Sequence, residues 1–133
     1  MGKPENKAPR RNVILVELDS VILGAPRWSK LVTARILDAF ADRGYDVVGI
    51  TTSQTTQHGF LLQHLTDNGV PVASIMMRSP LDNRDYLELK QELVEMYQSS
   101  LAILVDNDLE FCRSLLHRGF STLQTLGQED GEK

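Results

Sequence analysis

The sequence has a single cysteine, Cys112, so no intrachain disulfide can form. That agrees with a reducing compartment, and a cytoplasmic location is the expectation. No apolar run approaches the roughly 20 residues of a membrane span, so no membrane partner is expected. The opening stretch, MGKPENKAPRRN, has no apolar signal region. Positive charge is not in excess: 14 Lys and Arg face 18 Asp and Glu, a net charge of −4. No overall basic field therefore holds nucleic acid non-specifically, which leaves only a local patch for such contact. There is no internal repeat and no GxxxxGK[ST] phosphate loop. Of three histidines, His58 and His64 are six apart and share no helix face, so they make no metal pair. Cys112 sits in an apolar-periodic stretch, 109–116, and reads as a buried core thiol.

What remains fits one domain of ordinary globular composition. Residues 1–11 are polar and basic and read as a flexible tail, and 127–133 as a disordered acidic tail. Between them, 12–126, strands and helices alternate. The apolar runs 12–18, 46–52, 71–77, 101–106 and 120–126 read as five strands, the first of them, rich in Val, Ile and Leu, as a strand covered on both faces. Helices are predicted over 27–43, 55–68, 84–97 and 108–118, stopped by Gly44, Asn68–Gly69 and Gly119 in three cases. Trp28, Leu31, Val32, Ile36, Leu37 and Phe40 form the expected inner face of the first helix. Phe60, Leu61, Leu62 and Leu65 do so in the second, and Leu87, Leu89, Leu93, Val94 and Met96 in the third. Such alternation predicts a three-layer α/β/α, Rossmann-like fold on a five-stranded, mostly parallel sheet. Ligands of such sheets lie beyond the carboxyl ends of the strands.

Those ends are polar. Strand one finishes in Glu17-Leu18-Asp19-Ser20, and residues two apart on an extended chain point to one face, so two carboxylates are expected to converge. Strand two ends in Thr51-Thr52-Ser53, and strand four in Asp106-Asn107-Asp108. Lys90 lies on the helix before strand four. Carboxylates and a carbonyl suit Mg²⁺, while a lysine and hydroxyls can hold phosphate oxygens. One carboxylate can attack phosphorus while another protonates the leaving oxygen. Each residue also has a plainer reading: Asp108 as a helix cap, the threonines as turn residues, Lys90 as a solvated side chain.

In this order the residues resemble the haloacid-dehalogenase superfamily. NVILVELDSVIL is similar to its first motif, VVGITTS to its second, Lys90 to its third and LAILVDND to its fourth. The stretch from Ile75 through Asp108 looks most like the 3′-phosphatase part of phage-type polynucleotide kinases. The resemblance implies a phosphate monoester hydrolase with Glu17 as nucleophile and Asp19 as general acid/base. It implies Thr51 or Thr52 and Lys90 on the phosphate. Mg²⁺ would be held by Glu17, Asp19, Asp106 and Asp108, with help from the Leu18 carbonyl. Too few residues separate strands one and two for a cap domain. Capless members act on large partners, so a phosphorylated macromolecule, a nucleic-acid end or a protein is the implied partner. Arg27 and Trp28 could contact it by charge and stacking, with Trp28 as first core residue of its helix as the plainer reading.

The family's nucleophile is aspartate, and here Glu17 stands in its place. One extra methylene moves the carboxylate by roughly 1 Å, an error that can cost about 10²-fold in attack. Two readings follow: a Mg²⁺-dependent phosphohydrolase of weak or lost activity, and an inactive fold kept as a binding or regulatory module. A receiver-like domain is a third, disfavoured because Lys90 falls in a helix rather than at a strand end.

Overall fold

The computed structural model describes residues 11–125. Most of the basic tail and the acidic end, 127–133, lie outside the described residues. Arg11, assigned to that tail, belongs to the body: its Nη1 donates to the carbonyls of Gln98 (3.3 Å) and Leu101 (3.2 Å).

Five strands, β1 (Val13–Glu17), β2 (Asp46–Gln54), β3 (Ser74–Arg78), β4 (Leu101–Asp106) and β5 (Ser121–Gln124), alternate with four helices. The helices are α1 (Arg27–Asp42), α2 (His58–Asp67), α3 (Tyr86–Met96) and α4 (Leu109–His117). Every strand pairing is parallel, in the order β3-β2-β1-β4-β5, so the sheet is wholly parallel. β1 is central and buried at every position, which is why it reads as an unbroken apolar run.

Successive β1 side chains feed two cores. Ile14, Val16 and Leu18 meet Ala34 and Leu37 of α1 and Leu61 and Leu65 of α2. Val13 and Leu15 meet Leu93 and Val94 of α3 and Phe111, Cys112 and Leu115 of α4. The result is the expected three-layer, Rossmann-like arrangement. Cys112 is buried, as its apolar setting implied. Gly44 and Gly119 leave α1 and α4 at φ +93° and +92°, a conformation that a side chain resists.

Helix orientation departs from the sequence reading. α1 buries Ser29, Thr33, Ala34 and Leu37, whereas Trp28 is 59% exposed and Leu31, Val32 and Ile36 face solvent. Of the expected face, Leu37 is buried and Phe40 packs at the margin of the core, and the rest of the buried strip is small or polar. In α2 only Leu61 and Leu65 are buried, and Phe60 is 75% exposed. In α3, Leu87 and Met96 are exposed, while Lys90 is buried in their stead.

Candidate functional site

The site begins where β1 stops being a strand. Leu18 takes helical dihedrals (φ −78°, ψ −33°) and opens a π-helical turn over Asp19–Leu23. The turn is held by Leu18, buried against Gly49 of β2, where an added Cβ would come within 2.6 Å of the leucine side chain. Because the chain turns at Leu18, the two-residue alternation ends at Glu17. Glu17 and Asp19 are each held by their own set of donors.

Glu17 is 2% exposed and points toward α3. Its Oε2 accepts from the Asp19 N–H at 3.0 Å and the Tyr86 hydroxyl at 2.6 Å. Its Oε1 accepts from the Ser20 N–H at 3.0 Å and the Ser20 hydroxyl. An ionised carboxylate offers about four lone-pair positions, and here each oxygen has two donors. Burial, and then the negative charge of Glu17, push the Tyr86 hydroxyl well above its ordinary pKa. It therefore stays protonated and available as a donor. Ser20 Oγ also stands 2.7 Å from Asn107 Oδ1 in the loop after β4, so Glu17 and Asn107 compete for its one proton.

Asp19 turns to the end of β2. Its Oδ1 accepts from Thr51 Oγ1 at 2.6 Å, and its Oδ2 from Thr52 Oγ1 at 2.6 Å and Thr52 N–H at 3.1 Å. The threonine hydroxyls expected on phosphate are thus donating to this carboxylate. At the end of β4, Asp106 is fully buried and its Oδ2 meets Lys90 Nζ at 2.9 Å. Its Oδ1 accepts from the Asp108 N–H at 2.9 Å. The Lys90 ammonium lies 5.2 Å from the Tyr86 ring centre and 4.5 Å from that of Phe111. Asp108 caps α4, accepting from the N–H groups of Glu110 and Phe111, and its other oxygen is 4.0 Å from Lys90 Nζ.

Magnesium asks for free oxygens in near-octahedral array. Glu17, Asp19 and Asp106 each have both oxygens engaged by hydrogen-bond donors, and Asp108 is half exposed at a helix start. Among the described residues, no three Asp, Glu, His or Cys side chains converge as a metal-holding group. As arranged, this donor set does not fit a divalent cation.

Two members of the network went unassigned in the sequence. Ser20 is adjacent to the motif, and a serine after a strand carries no signal of its own. Tyr86 lies 69 residues from Glu17, and its one signal is its position a helical turn before Lys90, on the same face.

No family model matches the chain, and no curated protein matches it. Solved structures do. A chain in the structure of the Pnkp1/Rnl/Hen1 complex superposes with TM-score 0.66 at 15% identity, over 93% of this chain and 48% of that one. This chain therefore spans about half the length of that relative. An uncharacterised protein from Corynebacterium glutamicum ATCC 13032 Kitasato superposes with TM-score 0.58 at 17% identity, over 86% of this chain and 84% of its own. At such identities the shared property is the fold.

Proposed function

We propose that this chain is a phosphoesterase-like domain of the haloacid-dehalogenase type that no longer hydrolyses. It serves as a binding or regulatory module for a protein or nucleic-acid partner. The observation that carries the reading is the state of Glu17. A carboxylate that attacks phosphorus must present a free lone pair about 3–3.5 Å from it. Glu17 is buried and accepts two hydrogen bonds at each oxygen. The longer side chain has brought its charge onto the turn's own N–H groups, where a bound anion would otherwise compete.

The likeness to a chain of the Pnkp1/Rnl/Hen1 complex is compatible with a partner of either kind. So is the exposure of Trp28 beside Arg27, at the start of α1 just beyond the β1 turn. An indole in that position can stack on a base or pack on a protein surface.

The test is hydrolysis of an aryl phosphate with Mg²⁺, by the native chain and by Glu17→Asp. The native chain is expected to be silent. The shorter aspartate, withdrawn from the turn, is expected to give turnover that a chelator abolishes. Chelator-sensitive turnover by the native chain, equal to that of Glu17→Asp, would overturn the reading in favour of a working Mg²⁺-dependent phosphohydrolase.

A further inference from the structure

A cavity of about 250 Å³ opens between the β3 edge of the sheet and α3, away from the Glu17 turn but sharing Thr51 with the Asp19 network. Its walls are apolar and rich in sulfur. Met76 enters from β3, and Leu89, Leu93 and Met96 from α3, while the Met77 side chain packs in the core on the other face of the sheet. Two methionine side chains, Met76 and Met96, therefore line one hollow. Met96 is 59% exposed beside it, so this apolar wall lacks a cover. Thioethers are flexible and polarisable and make favourable contacts with aromatic rings.

The rim narrows the choice of ligand. It carries two arginines and two carboxylates, Arg78, Arg84, Asp82 and Glu92. Arg84 is committed, donating to both Asp82 and Glu92. Arg78 donates from Nη1 to the Arg84 carbonyl at 2.8 Å, but its Nε is buried and has no acceptor among the described residues. A buried donor of this kind ordinarily has a partner. An anionic ligand would meet Asp82 and Glu92, and a cationic one would compete with Arg84. A neutral ring with an acceptor for Arg78 and donors for the rim carboxylates suits both.

We propose that this cavity is a binding site for a neutral planar heteroaromatic ring of the nucleobase class, held among the methionine side chains with a ring acceptor on Arg78 Nε. Pockets for drug-sized ligands run from about 300 to 1,000 Å³. This one lies just below that range, so it takes the ring and leaves an attached sugar in solvent. The site is separate from the Glu17 turn, and its existence does not depend on whether the chain hydrolyses phosphate.

The composition supplies the assay. With methionine methyl groups labelled with ¹³C, the chain reports on the cavity through Met76 and Met96 and on the opposite face of the sheet through Met77. Adenosine, guanosine, cytidine and uridine are titrated separately to about 10 mM, the weak end of specific binding. Benzoate and cyclohexanol serve as anionic-ring and plain apolar comparators. At least one nucleoside is expected to shift the Met76 and Met96 signals saturably while that of Met77, across the sheet, moves less. Arg78→Met is expected to weaken it by about tenfold, the worth of one well-placed hydrogen bond. Glu92→Gln, on the exposed rim, provides a second variant should Arg78→Met fail to fold, and is expected to change the ranking of the four nucleosides. Still methyl signals with all four nucleosides would overturn the proposal. So would benzoate or cyclohexanol binding as tightly as the best nucleoside, or affinities and ranking that neither variant changes.

Discussion

The ends of β1 and β4 lie side by side in the sheet, and each buries a carboxylate, yet they neutralise it differently. At β1, Glu17 is satisfied by N–H and O–H groups that carry no formal charge. At β4, Asp106 faces a buried ammonium, Lys90, packed between two aromatic rings. A ring of neutral donors is a general receptor for negative charge, whereas an ion pair is closed to it. Carboxylates that look alike at strand ends can therefore differ in what may replace them. The β1 end is a set of neutral donors filled by its own side chain. The β4 end is a structural clamp.

The largest effect should come from breaking the clamp. Lys90→Met leaves Asp106 buried without its cation and is expected to cost about 3–5 kcal/mol by urea denaturation, because the lone charge is uncompensated. Lys90→Met combined with Asp106→Asn should return most of that loss. A single variant as stable as the native chain would show that Asp106 is neutralised some other way. Glu17→Gln comes next. It removes the charge and turns an amide donor toward donors, for an expected loss of about 2–3 kcal/mol, while Tyr86→Phe, which deletes one donor to a charged acceptor, should lose about 1.5 kcal/mol. Equal losses from Glu17→Gln and Lys90→Met would erase the contrast between the two ends.

Smaller still is Asp108→Ala. If Asp108 serves α4 as a cap, stability should fall by about 1 kcal/mol, and a much greater loss would assign it to the clamp instead. The mildest probe is chemical and changes no residue. Burial, followed by the charges of Asp106 and Asp108, pushes the Cys112 thiol up to about 11. It should remain a neutral thiol across the ordinary pH range and become a thiolate only as pH approaches that value. A disulfide reagent at pH 8 should label the native protein slowly and the urea-unfolded protein at once. Rapid native labelling would mean the β4 side opens readily.

Much of this fold could be read from the residues, for reasons that also explain the misses. Strands covered on both faces are runs of Val, Ile and Leu, and three of the helices stop at or beside a glycine of positive φ. Helix facing was harder to read. α1 buries Ser29, Thr33 and Ala34 alongside Leu37, so counting bulky apolar residues finds Leu37 and misses the small side chains that share its face. At the site, Glu17, Asp19, Thr51, Thr52, Asp106 and Asp108 were legible as polar groups at strand ends, and Lys90 as a cation on the helix before β4. Their pairings were not. Those depend on where Leu18 bends the chain and on Tyr86 arriving from α3, and neither leaves a local pattern. The buried state of Lys90 reflects the same thing, since a lysine on a helix reads as solvated until its carboxylate is located.

The strand order has a further consequence during synthesis. β1 leaves the ribosome first but occupies the middle of the sheet, between β2 and β4. β2 follows closely and covers one flank. The other flank stays bare until residues 101–106 emerge, and an apolar strand with an open edge is a template for pairing with other chains. The Tyr86 and Lys90 side chains, which quench the charges of Glu17 and Asp106, also arrive late. A nascent chain halted after β3 would thus combine a sticky edge with an unshielded acid, and chaperones should hold it longest at that length.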